Sequence, residues 1–172
     1  MIEDPAEVAR QAKLREEENW CFRSFLKAVC GWSDARLNRV AAQLAREAAA
    51  QINCTDCGAC CRENIVPLTD EDIDRLAGGV RLPVLDFRRR HVKSFDTDPQ
   101  AMDAHPCEFL DGRRCSVYES RPQACRDYPY LDGDVRSRMI MILERTGTCP
   151  IVFEQLERLK DETRFRRIYP RP

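Results

Sequence analysis

Cys54-Thr55-Asp56-Cys57-Gly58-Ala59-Cys60-Cys61 sets four thiols within one short stretch that has neither a helical apolar stripe nor a strand alternation. Thiols recurring every three residues gather several soft ligands around one point, which is what a thiophilic metal ion or cluster needs. The stretch contains a glycine and reads as a loop wrapped around its ligand. Its first three cysteines form two overlapping C-x2-C spacings, in which intervening backbone amides can point back at the thiolates.

Working outward, Cys107, Cys115, Cys125 and Cys149 follow in segments rich in proline and turns. The candidate metal ligands are therefore Cys54, Cys57, Cys60, Cys61, Cys107, Cys115, Cys125 and Cys149, enough for two four-ligand centres. Their order along the chain does not fix which four belong together. Cys60 beside Cys61 can serve two centres or leave one thiol free, and His105 is a spare imidazole two residues before Cys107. Four thiolates around Zn2+ or a [4Fe-4S] core leave a net negative charge that nearby cations must offset. Arg62 and Arg126, each directly after a cysteine, are the candidates. One compact run followed by single cysteines favours an iron-sulfur cluster over zinc, and the distant Cys149-Pro150 fits ferredoxin-type ligation. Cys57-Gly58 would suit a zinc knuckle equally well.

The whole chain narrows the partners. With 172 residues it has the length of one ordinary domain. Lys plus Arg number 28 against 29 Asp plus Glu, and a net charge of -1 gives no global field for nucleic acid or an anionic membrane. The start, Met1-Ile2-Glu3-Asp4-Pro5, lacks a positive segment leading into an apolar one. No apolar run approaches the roughly 20 residues of a membrane span. The expectation is a soluble, cytoplasmic protein whose partners are metal and, in one reading, another protein. In a reducing compartment clustered thiols are more often metal ligands or redox groups than disulfides.

The expected fold class is mainly α with a small β-hairpin, in three segments. Residues 1–52 form an N-terminal helical hairpin, 53–150 a cysteine-cluster core, and 151–172 a C-terminal helix packing on that core. Phe22, Phe25, Leu26 and Val29 repeat at helical spacing, as do Leu37, Val40, Ala41, Leu44 and Ala48. Gly31 can end the first helix with positive φ, and Ser33 can cap the second. Thr69-Asp70-Glu71-Asp72 is a capping box, and Gly78-Gly79 stops the helix it opens. Pro83 can begin another helix, carrying Val84, Phe87 and His91. Residues 94 to 106 read as loop. Asp111-Gly112 predicts a tight hairpin between two short strands, and the apolar run Met139–Leu143 leans towards strand.

Three blocks carry a family resemblance: the Cys54–Cys61 run, Pro106-Cys107-Glu108-Phe109-Leu110, and the stretch from Cys115 to Pro129 containing Arg121-Pro122-Gln123-Ala124-Cys125-Arg126. Over about residues 50 to 150 the chain resembles the YkgJ-like cysteine-cluster proteins, a zinc- or iron-chelating domain family. The resemblance implies a cysteine-bound metal and says little about activity.

Other residues have blander readings. Cys21 and Cys30 lie beside the Phe22-Phe25-Leu26-Val29 stripe and read as small core hydrophobes. His91 after Arg88-Arg89-Arg90 reads as a solvated helix face, and Tyr118, Tyr128 and Tyr130 as packing around the second cysteine block. Arg121-Pro122 fixes a turn. No catalytic pair is legible: there is no Gly-rich phosphate loop, no Gly-x-Ser-x-Gly, and only two histidines. Metal binding thus leads. It leaves three roles open: a zinc-stabilised interaction module, a redox or electron-transfer protein, and an enzyme or maturation factor that works through its metal.

Overall fold

The computed structural model describes residues 2–94 and 100–171. Its helices are α1 (Pro5–Leu14), α2 (Glu16–Ala28), α3 (Asp34–Gln51), α4 (Cys60–Glu63), α5 (Asp70–Gly79), α6 (Val84–His91), α7 (Gln123–Asp127), α8 (Val135–Thr146) and α9 (Pro150–Glu162). The strands, two residues each, are β1 (Val66–Pro67), β2 (Ala101–Met102), β3 (Leu110–Asp111) and β4 (Arg114–Cys115). The fold is mainly α with small β-hairpin pairings. No helix among the described residues is long and apolar enough to cross a membrane.

The chain divides into two compact units. One comprises residues up to Cys54 together with those from Pro129 onward, and the other is Thr55–Tyr128. The helices at the two ends of the chain, expected as separate segments, thus share the first unit. Asp4 caps α1 by accepting from the Glu7 amide at 3.2 Å, and Pro5 fills the first turn. Ser33 caps α3 through the Arg36 amide at 3.3 Å, as its position suggests.

The expected two-piece hairpin is instead three helices, because the helical backbone is interrupted at Arg15 (φ -99°, ψ 12°). Nor does Gly31 end α2: positive φ among the described glycines falls at Gly58, Gly112 and Gly133. The exit from α2 is held by Arg136 of α8, whose guanidinium donates to the carbonyls of Leu26 (2.7 Å), Cys30 (3.2 Å) and Trp32 (2.7 Å).

Residues 139–143 are helix and not strand. Val135, Met139, Ile142 and Thr146 are buried at helical spacing. Asp134 caps the segment by accepting from the Ser137 amide at 2.7 Å. The apolar run is therefore the middle of a longer helical stripe whose start signal lies outside it.

α9 packs against α3, α8 and α1 and is buried on nearly every side from Pro150 to Glu157. Such a helix must satisfy its polar groups internally. Gln155 donates to the Ala41 carbonyl at 2.9 Å. Lys160, fully buried, donates to Glu18 Oε1 at 2.8 Å and Glu157 Oε1 at 2.5 Å. Glu18 Oε2 in turn accepts the amides of Ile168 (2.6 Å) and Tyr169 (2.8 Å), and Arg167 pairs with Glu157 at 2.6 Å. Burial pushes the Glu18 carboxyl up, but Lys160 and the two amides outweigh it and hold the group below its ordinary value of 4.5.

An apolar cluster in the second unit comprises Val66, Leu68, Ile73, Leu76, Ala77, Phe87, Met102, Phe109 and Val117. The capping box forms as expected, with Thr69 Oγ1 accepting from the Asp72 amide at 3.1 Å and Asp72 Oδ2 from the Thr69 amide at 3.2 Å. Pro83 is the residue just before α6 and not part of its first turn. The expected 94–106 loop is partly strand, since β2 pairs antiparallel with β1 (Val66 opposite Met102). Residues 95–99 of that loop lie outside the described residues. The Asp111-Gly112 hairpin forms, with Leu110 opposite Cys115 and Gly112 at φ +61°.

Replacing Lys160 with alanine leaves two buried carboxylates facing each other, and is expected to cost about 3–5 kcal/mol in denaturant unfolding. The contribution of Glu18 is fully present above its unfolded value near 4.5 and is lost as pH falls through the lower folded value. Unfolding free energy measured from pH 6 downward is therefore expected to drop below about pH 4.5 in the native chain, and to drop less in Glu18→Gln.

Candidate metal centre

Six of the eight candidate ligands, Cys57, Cys60, Cys61, Cys107, Cys115 and Cys125, belong to the second unit. Cys54 is the last residue of the first stretch of the other unit, and Cys149, buried, precedes α9 in that same unit. Cys21 is exposed on α2 and Cys30 half-buried beyond its end, so neither is a core residue as expected.

The cysteine run is more regular than a loop. Cys54–Asp56 form a single 3-10 turn, Gly58 reverses the chain at φ +66°, and Cys60 and Cys61 open the short α4. The reversal seats the run on the β3–β4 hairpin. A Cβ on Gly58 would lie 2.9 Å from the Arg113 carbonyl oxygen and 3.2 Å from Leu110 Cδ1, so only glycine fits both the backbone angle and the space. Three polar links fasten the same contact. Arg62 donates to the Gly112 carbonyl (2.7 Å), Arg114 to Asp56 (2.8 Å), and the Cys107 amide to the Cys61 carbonyl (2.7 Å).

The hairpin and α7 bring in the remaining thiols. Cys107 precedes β3, Cys115 ends β4, Cys125 lies in α7, and all three pack on the edge of the apolar cluster. The start of α7 is tied to α5 through Asp72 Oδ1, which accepts the Gln123 amide at 2.9 Å.

Cys61 bears electrically on three of the others. Cys107, Cys115 and Cys125 each bear its charge, and Cys125 also bears those of Cys107 and Cys115. The Cys60 thiol donates to Cys61, and with the Arg62 charge it outweighs burial and brings Cys61 down to about 7. Burial first, then neighbouring thiolates, push Cys107 and Cys115 up and Cys125 up to about 12. Against this trend the Cys107 sulfur accepts the Phe109 amide and the Cys115 sulfur the Val117 amide, each two residues on.

Amides aimed at sulfur favour thiolate, and soft thiolates suit zinc or iron, so the donor set fits a thiophilic metal. As placed, no three His, Cys, Asp or Glu side chains among the described residues stand close enough to one point to hold an ion.

Among the other candidates, Arg62 does act on Cys61, but Arg126 spends its guanidinium on the carbonyls of Arg121 (3.2 Å) and Glu119 (2.5 Å). The cation that bears on Cys115 and Cys125 is Arg121, which the sequence offers only as a turn residue. Its signal is its place between those two cysteines. His105 is paired with Asp103 at 2.9 Å. His91 is not a solvated face: its ring packs between Phe87 and Phe109, with Nδ1 2.6 Å from Glu108 Oε2.

The chain belongs to the CxxCxxCC family, whose model, described as "Putative zinc- or iron-chelating domain", matches residues 53–150. It is also similar to an uncharacterized protein of Methanocaldococcus jannaschii, MJ0661, with 32% identity over 82 residues, covering 45% of this chain and 44% of that protein. The matched stretch spans less than half of that relative's length. No solved structure matches the chain.

Gly58→Ala is expected to cost about 1–2 kcal/mol from the left-handed backbone alone, more with the clash against the hairpin. Because the same contact positions Cys60 and Cys61, thermal melting and metal content measured on one preparation should fall together.

Proposed function

We propose that this protein binds zinc or an iron-sulfur cluster through the thiols of its second unit, with Cys61, Cys107, Cys115 and Cys125 as the ligand set. What carries the reading is the seating of the cysteine run on the β3–β4 hairpin, where the Cys107 amide donates to the Cys61 carbonyl at 2.7 Å and Cys107, Cys115 and Cys125 pack on the same apolar cluster. The amides directed at Cys107 and Cys115 support it.

Bound there, the metal supplies a cross-link between segments that have little apolar surface of their own. A structural zinc contributes on the order of 10–16 kcal/mol of apparent binding free energy to folding. The residues of the chain divide the remaining work. Cys60 and Arg62 hold Cys61 ready as thiolate, and the hairpin fixes Cys115. Asp72 anchors the start of the helix that presents Cys125. In this reading the protein works in a reducing compartment such as the cytoplasm, where its thiols stay available, and the metal organises a surface for a protein partner.

Anaerobic purification with elemental analysis tests this directly. One zinc, or a brown protein containing iron and acid-labile sulfide, is expected. Cys61→Ser and Cys125→Ser should each lose metal and melting temperature together, whereas Cys21→Ser should change neither. Full metal content in both ligand variants would overturn the proposal.

A further inference from the structure

Immediately after α9 the chain turns back on itself. Thr163 caps the helix, Arg164 lies in the left-handed region at φ +54°, and the amides of Arg164 and Phe165 close the turn by donating to the carbonyls of Asp161 and Lys160, both at 2.9 Å. Glycine is the usual occupant of such a position, because any other side chain crowds its own backbone there. The connector is thus both short and strained.

Residues 165–171, which form neither helix nor strand, then lie against α2 and α9. The Phe165 ring meets Phe22 edge-on, with 5.1 Å between centroids, and Phe25 at 5.3 Å. Glu18 reads the backbone, its Oε2 accepting the adjacent amides of Ile168 (2.6 Å) and Tyr169 (2.8 Å), and Arg15 donates to the Pro170 carbonyl at 2.9 Å. Two arginines four residues apart meet the acidic side of α9. Arg167 pairs with Glu157 (2.6 Å) and Asp161 (2.8 Å), and Arg171 with Glu154 (2.6 Å) and Asp161 (3.2 Å). Glu18, Glu154 and Glu157 are buried, so these pairs are screened less than ordinary surface pairs.

Every one of these bonds reaches out of the segment. An identical segment from another molecule can therefore remake all of them, and a short hinge under strain favours that exchange, because opening it releases the unfavourable backbone. We propose that the carboxylate strip formed by Glu18, Glu154, Glu157 and Asp161 is a self-recognition site, in which residues 165–171 of a second copy of this chain replace the chain's own and join the two copies as a closed dimer. Arg164 is the hinge. The aromatic ring, the pair of adjacent amides and the two spaced arginines are what the strip recognises. The dimer is independent of the cysteines and of any metal they hold.

The test is light scattering after size-exclusion chromatography of the full chain in reducing buffer, from low to high micromolar concentration, which excludes a cross-link through the exposed Cys21. The native chain is expected to pass from monomer to dimer. Arg164→Gly keeps every contact and relaxes the hinge, and should self-associate roughly 10- to 100-fold more weakly. Arg167→Ala with Arg171→Ala has a weakened segment, and Asp161→Arg a repelling strip; each alone should stay monomeric. Mixed, they should recover a dimer, since one supplies an intact strip and the other an intact segment. If the double variant does not fold, Arg171→Ala takes its place in the same mixing experiment. A native chain that is monomeric throughout, a dimer that survives in either variant alone, or a mixture that stays monomeric would each overturn the proposal, and so would an Arg164→Gly dimer as tight as the native one.

Discussion

The seating of the cysteine run on the β3–β4 hairpin is the constraint from which the candidate site follows. Sulfurs nearly fifty residues apart in sequence cannot be gathered by local propensity, and here they are gathered by backbone contact. Gly58 lets the run lie flush against the Arg113 carbonyl, while hydrogen bonds to Gly112 and Cys61 close the two sides of the contact. None of these links involves a sulfur atom. The unit can therefore bring its thiols near one another before any ion arrives, and the ion need supply only the last closure.

Charge sets the limit on that closure. Bringing several thiolates together out of water is unfavourable unless cations or hydrogen-bond donors compensate. The protein divides the compensation. Cys61 is readied by Cys60 and Arg62, and Cys107 and Cys115 by amides two residues on. Cys125, pushed up to about 12, is eased by the charge of Arg121. A cationic metal reverses the balance, because it turns each repulsion into a shared attraction. The first unit solves the related problem of buried charge differently: Lys160 sits between Glu18 and Glu157, and the chain itself supplies both signs.

Much of this was legible in the order of residues, and the failures have physical causes. The capping box at Thr69, the cap at Ser33 and the turn at Gly112 are local devices whose partners lie within a few residues, so sequence suffices to find them. The strand β2 was not legible, because a two-residue strand has no period and its partner is more than thirty residues away. The most apolar stretch of α8, taken alone, reads as strand, because the cap and outer turns that fix its period are polar. Arg136, from a helix distant in sequence, holds the helix exit that the sequence offers to Gly31. At the site, the clustered cysteines announced the chemistry. Of the two arginines that directly follow cysteines, Arg62 bears on Cys61 as its position suggests, whereas Arg126 is turned to backbone carbonyls, a difference that only the fold decides.

Asp72 makes bonds in two directions. One oxygen completes the cap of α5, and the other accepts the amide that starts α7. The geometry of a helix end is in this way transmitted to the turn presenting Cys125. Stiffness thus runs from an ordinary structural cap to a sulfur more than fifty positions downstream, and anything that loosens the cap shifts Cys125 while leaving every cysteine in the chain.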